Sequence, residues 1–164
     1  VTRTNLVAGA VALAVAGAVY AGWGRTSEPG PEEQLRRHVV ELARAAEARK
    51  PGEMLERVSA RFTAPEVGDR DALRGFLAAQ LLRGEWVRAW PMDIQAELRE
   101  GGRAHQHVRM VLGRSTASRV EDLGKDASLA AWRLELDWVR EEDGEWRVAS
   151  ARWEPIPPAE LLTP

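Results

Sequence analysis

Two periods divide the chain. Up to about residue 84 the apolar residues recur every three or four positions, and from Trp86 onward they recur every two. Leu35, Val39, Leu42 and Ala46 make a helical stripe, opened by Pro31 with Glu32 and Glu33 near its positive end and closed by Pro51-Gly52. Met54, Leu55, Val58 and Phe62 predict a second, shorter helix. A third, capped by Asp69 or Asp71, would bury Leu73, Phe76, Leu77 and Leu81 and stop at Gly84. Strand alternation then sets Met92, Ile94, Ala96 and Leu98 on one face, followed by Gln106, Val108, Met110 and Leu112, and later by Trp132, Leu134, Leu136 and Trp138. A last strand covers residues 146–155. Helices first and antiparallel strands afterwards give an α+β class: three N-terminal helices on a curved, mainly antiparallel sheet of four to six strands. Residues 113–128 form a polar connection long enough for a mobile loop.

Register can be tested within the sequence. A two-residue type I′ turn at Asp143-Gly144 sets Trp138 opposite Ala149, Leu136 opposite Ala151 and Leu134 opposite Trp153. On the other face it pairs Val139 with Val148, Glu135 with Arg152 and Arg133 with Glu154, so opposite charges meet. At Gly101-Gly102 a two-residue loop scrambles both faces. A three-residue loop sets Ala96 opposite Gln106 and Ile94 opposite Val108, and is the expected one.

Ahead of the domain, residues 6–23 carry no charge, with Arg3 before them and Arg25 after. Eighteen residues make about 27 Å of helix, near the lower limit for a bilayer core. They read either as a transmembrane anchor or as a signal peptide cleaved near Ala21. The division is then 1–24 for anchor or signal, 25–31 for a linker, 32–156 for the domain and 157–164 for a tail. The amino terminus and Arg3 favour a cytoplasmic N-end, whereas Arg25, Arg36 and Arg37 pull the other way. The short N-tail and signal-like layout place the domain outside the cytoplasm, at the cell membrane if anchored and secreted or periplasmic if cleaved.

A net charge of −2 and a pI near 6.0 give no general attraction for phosphate backbones, so nucleic acid is not an expected partner. Cysteine is absent, which excludes disulfides, thiolate zinc sites and a thiol nucleophile. Seven Trp against one Tyr and two Phe make tryptophan the aromatic to follow.

The order of elements resembles the NTF2-like superfamily, including its SnoaL-like members. Residues 62–84 look like that family's passage from second to third helix, and Gly144-Glu145-Trp146-Arg147-Val148-Ala149 with Trp153 looks like its closing strand. The resemblance covers residues 32–156 and implies a cone whose helices and sheet enclose a pocket open at one end. It also implies that enzymatic relatives keep an Asp, often with a His, inside that pocket.

The inward strand positions include neither an acid nor a base, and the helical stripes show no inward carboxylate, so no catalytic residue is assigned. The pocket candidates are Gln106, Trp132, Trp138, Trp153, Trp90, Met92 and Met110. Gln106 is the polar one and must find a hydrogen bond. The Trp residues could stack a flat ligand or simply fill core volume. His105 and His107 share a strand face at a spacing that suits one metal, but a third ligand is missing and the face reads as wet, so neither metal nor cofactor is expected. These features favour a membrane-tethered domain, held by residues 6–23, that binds an apolar small molecule or an envelope protein without catalysis. One alternative is a SnoaL-like isomerase, cyclase or hydrolase acting on a small hydrophobic substrate. Another is an envelope scaffold resembling the inner-membrane components of type IV secretion. Oligomeric state is left open.

Overall fold

The computed structural model describes residues 29–83, 88–114 and 129–157. The chain divides at Gly30 into two units, and the elements described all belong to the second, Pro31–Pro164. Residues 6–23, the stop at Gly84, the polar connection after Arg114 and the tail after Pro157 lie outside the described residues. Among the described residues no helix is long and apolar enough to cross a membrane.

Helix α1, Pro31–Glu47, buries Leu35, His38, Val39, Ala43 and Ala45. It ends in a left-handed residue, Arg49 (φ 56°), with Lys50 N–H donating to Ala45 O and Arg49 N–H to Ala46 O. That is the double closure usually built on glycine. Pro51 therefore opens helix α2, Pro51–Glu56, rather than merely closing the first. Only this one short helix forms where a longer one is predicted. Val58 and Phe62 belong instead to strand β1, Val58–Ala64, which buries Val58, Ser59, Phe62 and Ala64. A spacing of four is shared by a helical face and by every second inward residue of a strand, so apolar spacing alone does not separate the two. After β2, Gly68–Asp69, the Asp69 carboxylate accepts from the amides of Asp71 and Ala72 and caps helix α3, Arg70–Arg83.

Four long strands follow: β3 Arg88–Arg99, β4 Arg103–Gly113, β5 Leu129–Arg140 and β6 Trp146–Ile156. With the two short strands they form one six-stranded sheet, ordered β2-β1-β6-β5-β4-β3. It is antiparallel except where β1 runs parallel to β6. The core lies between one sheet face and the helices and gathers Leu35, Val39, Leu55, Phe62, Leu73 and Trp138.

Two bulges re-aim side chains. The β3–β4 loop has the expected three residues, with Arg99 opposite Arg103 and Ala96 opposite Gln106. The register then slips between Met92 and Gln95, where Asp93 takes a left-handed φ of 47°. Beyond the slip Trp90 faces Val111 and Met92 faces Arg109. Both candidates thus lie on the sheet face away from the helices, because one extra residue exchanges the two faces.

At the β5–β6 turn the expected two-residue loop does not form. Gly144 N–H donates to Glu141 O and Glu141 N–H to Glu145 O, making a three-residue loop with Gly144 at φ +82°. Trp138 consequently pairs with Val148, and Val139 with Arg147. A bulge between Asp137 and Trp138 on the β6 side then restores the register, so Leu136–Ala151, Glu135–Arg152, Leu134–Trp153 and Arg133–Glu154 pair as the sequence implies.

Candidate functional site

The inner face of the sheet is apolar but holds a buried polar centre. Gln106 is fully buried on β4, and its Oε1 accepts a hydrogen bond of 2.8 Å from Trp138 Nε1 on the neighbouring strand. That bond fixes the amide's orientation, since the indole can only donate. Gln106 Nε2 is therefore a donor aimed into the interior, and it has no hydrogen-bond partner. Trp132 Nε1 and Trp146 Nε1 are buried and unpartnered as well. Leaving such a group unmatched costs about 1–3 kcal/mol each.

Gln106 and Trp132 share the inner face. Gln106 is opposite Leu136 and Met110 is opposite Trp132, so the backbone positions of the two residues stand about 13 Å apart along the strands. Between and beside them lie Val108, Leu134 and Trp153, the last opposite Leu134. Trp153 stacks on Phe76 of α3 at 5.8 Å between ring centroids. Phe76 is 36% exposed, and Met110, Trp132, Leu134, Leu77 and Trp153 are only partly buried. Trp138, Trp146 and Val148 are shut in by comparison. Among the described residues the inner face is therefore shut in at the Trp138 end and more exposed, as the mouth of a cone would be, at the Phe76 end.

Of the sequence-derived candidates, the structure gathers Gln106, Trp132, Trp138, Trp153 and Met110 on this inner face. It does not gather Trp90 and Met92. Trp90 covers Gly113 on the opposite face, where a Cβ would approach its ring to 2.8 Å.

One inward residue escapes a reading based on apolar stripes. His38, 9% exposed, stacks on Trp138 with ring centroids 5.9 Å apart. Its Nδ1 is 3.2 Å from Glu41 Oε2, which also bonds Arg57 at 3.1 Å. Burial pushes the Glu41 carboxyl up, but the bonds from His38 and Arg57 outweigh it and hold it below the ordinary value. The interior thus does include a base, carried by helix α1 and not by the strands. The signal was present in the spacing, because His38 stands three residues after Leu35 in the α1 stripe.

The outer face is polar toward the β3–β4 hairpin, whereas at its other end Val111 and Ala131 are buried beside Trp90. His105 Nδ1 bonds Asp137 at 2.7 Å, Arg109 pairs with Asp93, and Arg133 pairs with Glu154. His105 and His107 meet edge to face at 4.6 Å, yet among the described residues no group of three His, Cys, Asp or Glu could hold a metal ion.

No protein-family model and no curated protein matches the chain. Solved structures do match in fold. ActVI-ORFA from Streptomyces coelicolor superposes with a TM-score of 0.64 at 11% identity, over 77% of this chain and 98% of that one. A candidate scytalone dehydratase from Novosphingobium aromaticivorans gives 0.60 at 14%, over 76% and 83%. A Catenulispora acidiphila protein solved in complex with S-DNPA gives 0.58 at 15%, over 75% and 91%. At such identities the likeness concerns fold alone: an α+β fold with a curved six-stranded sheet, consistent with the cone that the resemblance implied.

Proposed function

We propose that this domain binds a flat, largely apolar small molecule with one or two hydrogen-bond acceptors, inside the cone and without transforming it. The observation that carries this reading is the buried, unpartnered Gln106 Nε2, held toward the interior by the Trp138 bond to its own oxygen. A carbonyl or hydroxyl on the ligand would satisfy it, and Trp132 Nε1 offers a second donor nearer the mouth. Trp153 and Phe76 supply stacking surface. Binding is favoured over catalysis because no carboxylate faces inward among the described residues. His38, the inward base, is already engaged by Glu41 and packed on Trp138.

His38 supports a second reading, an enzyme in which the imidazole exchanges a proton with the bound molecule. The neighbours of similar fold include one described as a candidate dehydratase, which is in keeping with that reading.

We propose further that residues 6–23 hold the domain at a membrane, on its extracytoplasmic side, as their charge-free run suggests. Retention of the full chain in carbonate-washed membranes supports the anchor; recovery in the supernatant opposes it.

Binding is tested by titrating the full chain with 1-tetralone, whose bicyclic body carries one acceptor, and with tetralin, which carries none. Tetralone should bind about tenfold more tightly, the equivalent of one buried hydrogen bond. In Gln106→Met the advantage should disappear, since sulfur can still accept weakly from Trp138 but cannot donate. Equal affinities in the wild type would refute the role given to Gln106.

A further inference from the structure

A recess opens at the turn end of the sheet, bordered in part by Ala104 and Trp138 of the core. It has a volume of about 640 Å³ and runs across the turn end of the sheet from Ser59 and Arg61 on β1 to Arg99 and Arg103 of the β3–β4 hairpin. Val139 and Ala149 contribute an apolar floor. A volume of this size lies within the range of small-molecule sites.

Its charges are unbalanced. Arg99 and Arg103 stand directly opposite each other across the hairpin. Their Cβ atoms are then about 5 Å apart, an arrangement in which like charges destabilise the sheet. Elsewhere on the outer face several cations are matched with acids, as in Arg109–Asp93, Arg133–Glu154 and Arg147–Asp143, although Arg152 forms no ion pair with Glu135 opposite it. The side chains of Arg61, Arg99 and Arg103 make no hydrogen bond or ion pair among the described residues. Of the two acids in the recess, Asp137 is bonded to His105, and Glu100 makes no ion pair with the arginines within 4 Å. The β1 backbone at this edge is fixed locally: the Arg61 amide donates to Ser59 Oγ, and that hydroxyl donates to Glu141. The bulge of β6 brings Ala149 into the floor instead of setting it opposite Trp138.

We propose that this recess binds a small organic anion, a phosphonate, phosphate or carboxylate on a compact apolar body. The charged head would be shared by Arg61, Arg99 and Arg103, with the body against Val139 and Ala149. An anion between the opposed arginines would turn a repulsive cross-strand pair into a two-sided clamp, with charge-assisted hydrogen bonds.

The test is a titration of the full chain with phenylphosphonate, followed by amide resonances, with benzyl alcohol as the neutral control. Phenylphosphonate should shift the amides of Ser59, Arg61, Arg103 and Ala149 and leave Met110 and Trp132 unmoved, while benzyl alcohol should leave the recess unchanged. Arg99→Gln/Arg103→Gln should weaken binding at least about tenfold, as loss of one charged hydrogen bond would. The substituted arginines have no partners to lose, so the double variant should melt no lower than the wild type. Undiminished binding in that variant, or shifts confined to Met110 and Trp132, would overturn the proposal. So would binding to phosphatidylglycerol vesicles without binding to the monomeric probe, which would mark a membrane-facing charge patch.

Discussion

The two faces of the one sheet treat polar groups in opposite ways. On the outer face nearly every strand contributes a charge, and several meet partners across the ladder, as His105 meets Asp137 and Arg133 meets Glu154. On the inner face polar atoms are few, yet among the described residues three buried donors have no partner: Gln106 Nε2, Trp132 Nε1 and Trp146 Nε1. Where water already satisfies charges, pairing them changes little. Where water is excluded, an unmatched donor is costly and calls for an acceptor. The proposed ligand site rests on this contrast, since an acceptor placed on the inner face would match these donors.

Four changes sharpen that contrast, and they are expected to fall in a definite order. Trp138→Ala should be the most damaging, at about 3–5 kcal/mol, because it empties core volume and strands the Gln106 oxygen. Urea unfolding measures it, and a loss below about 1 kcal/mol would mean that the closed end of the cone is not packed as described. Gly113→Ala should cost about 1–3 kcal/mol, since the new methyl would meet Trp90 at 2.8 Å and Leu129 at 2.9 Å. Equal stability by the same assay would show that Trp90 moves freely.

Arg133→Ala should cost less than about 1 kcal/mol, because Arg133 and Glu154 are 44% and 60% exposed. A loss of several kcal/mol would remove the distinction between a wet and a dry face. The smallest effect is expected at Asp143. The hydrogen bond from Arg147, with that from the Glu145 amide, holds its carboxyl at about 2, against an ordinary 3.8. Its folded pKa is depressed, so its contribution is fully present above about pH 3.8 and is lost as pH falls through about 2. Carboxyl-detected NMR titration checks the midpoint, and Asp143→Asn should flatten stability in that window.

How legible this was depended on whether each feature leaves a periodic trace. Inner positions on β4 and β5 were readable because Val108 and Met110 alternate with His107 and Arg109, and Trp132–Trp138 alternate without interruption, whereas Val111 breaks the pattern and is buried on the other face. The β3–β4 loop was readable because only a three-residue connection keeps both faces consistent. The slip at Asp93 was not, since Met92 to Leu98 alternate perfectly in sequence while the backbone inserts a left-handed residue there. That one residue carried Met92 and Trp90 to the other face. The β5–β6 hairpin is more instructive. Its loop is one residue longer than the Asp143-Gly144 signal suggests, and the β6 bulge cancels the shift, so the far pairs agree while the near ones do not. His38 was hidden because a stripe counted by apolarity passes over an amphipathic ring lying within it.

Among further measurements, the most direct is the side-chain N–H spectrum of the full chain, isotopically labelled and titrated with 1-tetralone. Gln106 Nε2 and Trp132 Nε1 resonances should move downfield as acceptors reach them, while Trp138 Nε1, already bonded, stays in place. Saturable binding that leaves the Gln106 amide unmoved, or that moves only outer-face residues, would contradict a cone completed by its ligand.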